Sequence, residues 1–73
     1  MKISLRQQIE EIEREIGLRE GVYARAVAAG KMRQSISDYH MARIKAALAT
    51  LRYVEQHADA IRAAVLPPDV EVA

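Results

Sequence analysis

Apolar side chains recur in the first third of the chain at intervals of three and four residues. The residues that follow this spacing are Leu5, Ile9, Ile12 and Ile16. Such spacing places them on one face of an α-helix. Ser4 and Gln7 form an S-x-x-Q pattern, which is typical of a capping box at a helix N-terminus. We therefore predict a first helix over residues 5–29.

A second amphipathic stretch follows a short polar segment. Gly30 is expected to end the first helix in the left-handed conformation. Ser35-Ile36-Ser37-Asp38 reads as a second capping box. These signals predict a turn over residues 30–35 and a second helix over residues 36–65. The apolar positions of the second helix are Ile36, Met41, Ile44, Ala47, Leu48, Leu51, Val54, Ala58, Ile61 and Val65.

Two prolines mark the end of the second helix. Pro67 and Pro68 cannot donate backbone hydrogen bonds and disfavour helix before them. Residues 67–73 are therefore expected to form a flexible tail after a single domain of residues 1–66. Because the turn is short, the two helices should pack antiparallel. The predicted fold is all-α, an antiparallel hairpin of two long helices.

The apolar stripe of the second helix is wider than one helix contact needs, so a hairpin alone would leave part of it wet. A chain of 73 residues without cysteine has no disulfides to stabilise it. A homo-oligomer built by helix packing is therefore predicted. In the first helix, Gly17 and Gly21 either admit a close backbone or mark a kink or break. The predicted interface comprises Gly17, Gly21, Leu48, Val54 and Val65.

Charge is distributed unevenly, although the formal net charge is only +1. Residues 1–22 carry four basic and five acidic side chains, and residues 46–73 carry two basic and four acidic ones. Residues 23–45 carry five basic side chains against one acidic side chain. A folded hairpin therefore has a basic pole at its turn. These basic side chains either attract an anionic partner or only keep the turn hydrated.

Tyrosine and histidine side chains share the basic pole. Arginine and lysine bind phosphate, and tyrosine and histidine stack on bases, so the mixture suits a nucleotide or nucleic acid. The candidate ligand-binding residues are Tyr23, Arg25, Lys31, Arg33, Tyr39, His40 and Arg43. The alternative is that the rings pack beside the helix seam while the cations are solvated.

Residue patterns that carry catalysis are missing from the sequence. It has no glycine-rich phosphate loop, zinc-binding motif or nucleophile motif, and Ser35 and Ser37 are interpreted as helix caps. A non-enzymatic protein without cofactor or metal is expected. Duplex DNA is not an expected partner, because the helices are long and a third packing helix is missing. No apolar run approaches the roughly 20 residues of a membrane span, and Met1–Ser4 does not resemble a signal peptide, so a cytoplasmic location is expected.

Two segments resemble a group of small proteins encoded by proteobacterial phages and prophages. The segments are VYARAVAAGKMRQ at residues 22–34 and ARIKAALATL at residues 42–51. The first matches the pattern V-Y-x-R-x-V-A-x-G-K-M, and the resemblance covers roughly residues 5–52. Members of this group often have proline where Ala24 stands. The group provides no activity that transfers to particular residues.

The resemblance implies a phage-type binding protein that acts in the cytoplasm of a bacterial host. The expected function is that of a counter-defence factor. It would sequester an anionic nucleotide signal, such as a cyclic nucleotide, or block a host defence protein. The alternative is a structural coiled-coil adaptor in phage assembly with no small ligand. Charge reversal at Lys31 and Arg33 would separate the two, because only the first depends on the basic pole.

Overall fold

The computed structural model describes residues 1–64 and 69–71 of the chain. It is a thin rod with principal extents of 49 × 21 × 16 Å. Its elements, in chain order, are β1 (Ile3–Ser4), α1 (Leu5–Ala28), α2 (Gln34–Gln56), α3 (Ala58–Ala63) and β2 (Val70–Glu71). The prediction of two long helices that pack against each other is confirmed.

Helix α1 begins and ends at the predicted signals. The Ser4 hydroxyl accepts a hydrogen bond from the Gln7 backbone at 3.1 Å, and the Gln7 side chain accepts one from the Ser4 backbone at 2.9 Å. At the other end, Gly30 has a φ of +73°. The Lys31 backbone N–H donates to the Ala26 carbonyl at 2.8 Å, and that of Gly30 donates to Val27. These two bonds form a Schellman motif.

The glycines at positions 17 and 30 are expected to respond oppositely to alanine. Gly30→Ala should lower the free energy of unfolding by about 1 kcal/mol, because a side chain is strained at a φ of +73°. Gly17→Ala should raise it by up to about 1 kcal/mol, because the added Cβ meets open space inside α1. Urea denaturation followed by circular dichroism measures both. Changes of the same sign would contradict the assigned ends of α1.

Helix α1 runs through Gly17 and Gly21 without interruption, so the alternative of a helix break is wrong. Neither glycine admits a close backbone within the hairpin. A Cβ added at Gly17 would meet nothing within 4 Å, and one added at Gly21 would meet only the Arg25 guanidinium, at 3.3 Å. Both glycines therefore lie on the outer surface of α1.

The start of α2 differs from the prediction. The helix begins at Gln34 with Arg33 as its N-cap, and no side chain caps it. The predicted capping box at Ser35 is therefore wrong. Ser37 is buried, with 7% of its surface exposed, on the same helical face as Ile44 one heptad later. Tertiary burial thus uses Ser37 as a core-facing residue instead of a cap.

The predicted second helix over residues 36–65 is interrupted. Helix α2 ends at Gln56, and His57 has a non-helical backbone with φ −109° and ψ 27°. The His57 ring stacks on Tyr53 with 4.0 Å between centroids, and its Nδ1 lies 2.8 Å from the Tyr53 carbonyl oxygen. Helix α3 then ends at Ala63. The predicted helix end at Val65 lies outside the described residues.

A small β-element joins the two ends of the described chain. Strand β2 pairs in parallel with β1, so that Ile3 lies opposite Val70, and the Ile3 backbone N–H donates to the Asp69 carbonyl at 3.1 Å. The predicted flexible tail over residues 67–73 is therefore anchored at residues 69–71, while its other residues lie outside the described part. The fold is mostly helical, with this short parallel pair in addition to the hairpin.

The core of the hairpin is narrow. Among the described residues, the buried apolar side chains are Leu5, Ile9, Ile44 and Leu48, and Ile9 is fully buried. Leu48 follows Ile44 by one helical turn and faces α1 with it. Leu48 is therefore part of the hairpin core and not one of the water-exposed side chains from which the oligomer interface was predicted.

Two ion pairs connect the helices along one flank of the rod. Arg6 lies 3.0 Å from Glu55, and Arg52 lies 3.2 Å from Glu13. They join the early part of α1 to the late part of α2, as an antiparallel pair requires. All four side chains are more than one-third exposed, so each pair contributes at most about 1 kcal/mol. We call this side the ion-paired flank.

None of the described helices combines the length and the hydropathy that crossing a bilayer would require.

Candidate anion-binding groove

An open groove of about 480 Å³ lies between α1 and α2. Its apolar lining consists of Ile12 and Ile44, and its polar lining consists of Arg19, His40 and Arg43. The helical repeat places Arg19 and Arg43 on the side of the rod opposite the ion-paired flank. The groove therefore combines an apolar surface with two guanidinium groups.

Helix α1 positions Arg19 through the seam of the hairpin. Arg19 follows Ile16 by three residues and precedes Tyr23 by four, so it takes a position at the helix contact. Its Nε donates to the Glu15 carboxylate at 2.8 Å. That hydrogen bond raises the pKa of Arg19 above its ordinary value against the opposing effect of burial, and Tyr23 adds to the rise. The guanidinium is charged, as arginine always is in proteins, and its hydrogen bond to Glu15 fixes its direction.

Helix α2 contributes a cluster of rings and a second cation. The His40 ring lies 5.6 Å from the Tyr39 ring and 6.4 Å from the Tyr23 ring, edge-on to the latter. The Arg43 guanidinium lies over Tyr39, 5.3 Å from the ring centroid. This cation–π contact orients Arg43 beside the groove. Tyr39 remains 57% exposed, so its ring is accessible to a ligand.

The arrangement suits a ligand that carries both phosphate and an aromatic base. Guanidinium groups bind phosphate oxygens in a bidentate manner, more strongly than neutral donors do. An accessible tyrosine ring can stack on a base. Glu15, paired with Arg19, is the carboxylate that an incoming anion would meet. Within residues 1–64 and 69–71, no group of three His, Cys, Asp or Glu side chains is placed to hold a metal.

The structure separates the predicted site residues into two groups. His40 and Arg43 line the groove. Tyr39 contacts Arg43 beside it, and Tyr23 lies edge-on to His40 but lines a second, smaller groove. The other three predicted cations do not line the larger groove. The Arg25 guanidinium folds back over Gly21 on the outer surface of α1, and Lys31 and Arg33 are exposed around the turn.

Arg19 is the groove residue that the sequence-based prediction missed. It lies in the acidic first segment of the chain, outside the basic pole. A signal was present, because Arg19 continues the seam spacing of Ile12 and Ile16, where an apolar residue is expected. A cation in a seam position is a better indicator of a groove than the density of charge near the turn.

A second, smaller groove of about 290 Å³ lies on the ion-paired flank. Its lining includes the carboxylates of Glu20 and Asp38 as well as the ammonium group of Lys45. This mixed charge makes it a poorer site for an anion than the groove beside Arg19 and Arg43.

Comparison of this chain with models of protein families, with curated proteins and with solved structures finds no match. The resemblance of residues 22–34 and 42–51 to phage-encoded proteins therefore stays a prediction.

Proposed function

We propose that this chain is a non-enzymatic binding protein that holds an anionic, nucleotide-like ligand in the groove between α1 and α2. The observation that supports the proposal is the convergence of Arg19, His40 and Arg43 on one groove, with the exposed Tyr39 ring in contact with Arg43 beside it. The guanidinium groups bind the phosphates, and Tyr39 stacks on the base. The half-buried side chain of Ile12 contacts the sugar or base edge.

Binding without turnover is proposed because the groove lining pairs no nucleophile with a general base. The size of the groove favours a small molecule over a polymer. A volume of about 480 Å³ lies within the range of small-ligand sites, roughly 300–1,000 Å³. Duplex DNA is not a proposed partner.

The proposed biological role is that of a phage counter-defence factor in the cytoplasm of a bacterial host. A protein that sequesters an anionic nucleotide signal needs affinity and abundance, and it needs no catalytic machinery. The groove supports this version over the blocking of a host defence protein, because a small-ligand site has no use in the latter. The resemblance of residues 22–34 to phage-encoded proteins supports the origin.

The protein is further proposed to act as a homo-oligomer. Within residues 1–64 and 69–71, four buried apolar side chains form a small core. Leu18 and Val22 are each 51% exposed, and Ile36 is 44% exposed. Burying such side chains between copies would add apolar area that the hairpin alone lacks.

Isothermal calorimetry with a panel of ligands tests the proposed function. The panel comprises cyclic mono-, di- and trinucleotides, linear nucleotides and inorganic pyrophosphate. We expect at least one nucleotide to bind at tens of micromolar or tighter, and its affinity to fall as salt is added. Pyrophosphate should bind more weakly, because it lacks a base to stack on Tyr39. Absence of binding across the panel would overturn the proposal.

A structural coiled-coil adaptor is the second candidate function. The exposed apolar side chains of Leu18 and Val22 favour it, because an adaptor docks through such surfaces. This candidate predicts that no nucleotide binds and that charge reversal at Lys31 and Arg33 changes nothing. The protein would then still self-associate, but calorimetry would detect no binding of any ligand in the panel.

A further inference from the structure

Helix α2 carries two adjacent rows of contact positions, which we call seams. Only one of them packs against α1 within the hairpin. Ile44 and Leu48 belong to the first seam and face α1. The second seam consists of Ile36, Arg43, Ala47 and Val54, at spacings of seven, four and seven residues. Such spacings keep all four on one helical face over about five turns. A helix with two seams is typical of a bundle with more than two helices.

The second seam continues onto α1 and stays apart from the ion-paired flank. Val22 follows Arg19 by three residues, so α1 adds an apolar side chain next to the groove. Both interhelical ion pairs lie on the other side of the rod. The rod thus has one polar long flank and one long flank with apolar side chains, of which Val22 and Ile36 are exposed and Val54 is half-buried. We call the latter the seam flank.

We infer that a second copy of this chain packs on the seam flank, with the two α2 helices antiparallel about a twofold axis close to Ala47. The inference rests on the proposed homo-oligomer and does not depend on the ligand. Ala47 lies near the middle of the seam, and its small side chain allows helix axes to approach closely, to about 8 Å. A twofold contact of this kind closes on itself and forms no fibre.

The charge distribution favours a second copy as the molecule that packs on the seam flank, and it favours the antiparallel orientation. Residues 23–45 carry a surplus of basic side chains around the turn, whereas both end segments carry a surplus of acidic ones. An antiparallel pair of copies places the basic pole of each beside the acidic end of the other. A parallel pair would place the basic pole of one copy beside that of the other, and like charges repel. The surface is therefore complementary to a second copy in one orientation.

The ion pairs also indicate which residues of the two copies lie at the same level along the rod. Glu13 pairs with Arg52, so in the antiparallel hairpin Glu15 lies roughly level with Thr50 of α2. An axis at Ala47 brings that level opposite Arg43 of the partner subunit. Glu15, which already pairs with Arg19, then has a second cation within reach across the interface. The partner subunit covers the groove, and a ligand in it lies between two copies.

This contact replaces most of the interface predicted from the sequence. Gly17 and Gly21 lie on the outer surface of α1, away from the seam flank, and Leu48 is in the core. Val54 is retained, because it belongs to the second seam. Val65 lies outside the described residues.

Single-cysteine variants test the geometry, since the natural chain has no cysteine. Ala47→Cys is expected to give a covalent dimer on mild oxidation, because the two thiols meet near the axis within disulfide reach. Ala49→Cys is the matched control, being an exposed alanine of the same helix on a different face. Gly17→Cys examines the outer surface of α1. We expect Ala47→Cys to crosslink several-fold faster than either control, as judged on non-reducing gels.

Sedimentation of the unmodified chain and of Ile36→Asp completes the test. The unmodified chain should sediment as a dimer, and Ile36→Asp should dissociate at protein concentrations where the parent does not. Faster crosslinking of Gly17→Cys, or equal rates for Ala47→Cys and Ala49→Cys, would overturn the inferred geometry. A monomer at all concentrations would overturn self-association itself. Because neither readout involves a nucleotide, these failures are distinguishable from failure of the proposed function.

Discussion

Ile9→Ala is expected to leave the hairpin largely unfolded at room temperature. Ile9 is the fully buried side chain of the described core, with 0% of its surface exposed. Truncating a buried isoleucine to alanine costs about 2–5 kcal/mol, through lost apolar burial and the cavity that remains. A single core in a chain below about 70–80 residues rarely supplies more than 3–5 kcal/mol. The loss is therefore comparable with the whole stability.

The measurement is the helical circular dichroism signal as a function of temperature and urea. Leu18→Ala is the control, because it removes a similar volume from a side chain that is 51% exposed. We expect it to change the free energy of unfolding by less than about 1 kcal/mol. If Leu18→Ala proved as costly as Ile9→Ala, the packing of α1 against α2 would differ from the structure.

Local signals were sufficient to predict α1. Ser4, Gln7 and Gly30 act on backbone groups a few residues away, and no distant contact opposes them. The same kind of signal failed at Ser35, because the hairpin needs Ser37 on the buried face of α2. No proline or glycine marks the interruption at His57 in the sequence. It arises where the His57 ring stacks on Tyr53 and approaches a backbone carbonyl.

The candidate site was predictable only in part, because closeness along the chain does not determine the face of a helix. His40 and Arg43 lie on α2 near the bend and also line the groove, with Tyr39 in contact with Arg43. Arg25 is as close to the bend as they are, yet it lies on the outer surface of α1. Arg19 is further from the bend and lines the groove. Packing determines which face of each helix turns toward the other helix. The number of charges along the sequence carries no information about that rotation.

Neutralising the two groove cations is expected to abolish most of the binding of the proposed nucleotide ligand. Each charge-assisted hydrogen bond contributes about 1.5–3 kcal/mol, so Arg19→Gln and Arg43→Gln should each lower the affinity by about tenfold or more. Arg43→Lys keeps the charge but loses the bidentate geometry, so its affinity should fall between those of Arg43→Gln and the parent chain. Calorimetry with the tightest ligand of the panel measures these losses.

The same substitution at cations outside the groove provides the control. Arg25→Gln and Arg33→Gln remove equal charge from the basic pole but touch no groove residue, so each should lower the affinity by less than about threefold, through long-range attraction alone. Circular dichroism of every variant confirms that the hairpin is intact, which matters for Arg43 because it also packs on Tyr39. Equal losses for groove and control variants would mean that the field of the basic pole attracts the anion without a defined site. Losses confined to Arg25 and Arg33 would instead move the site to the turn, where the density of charge along the sequence first indicated it.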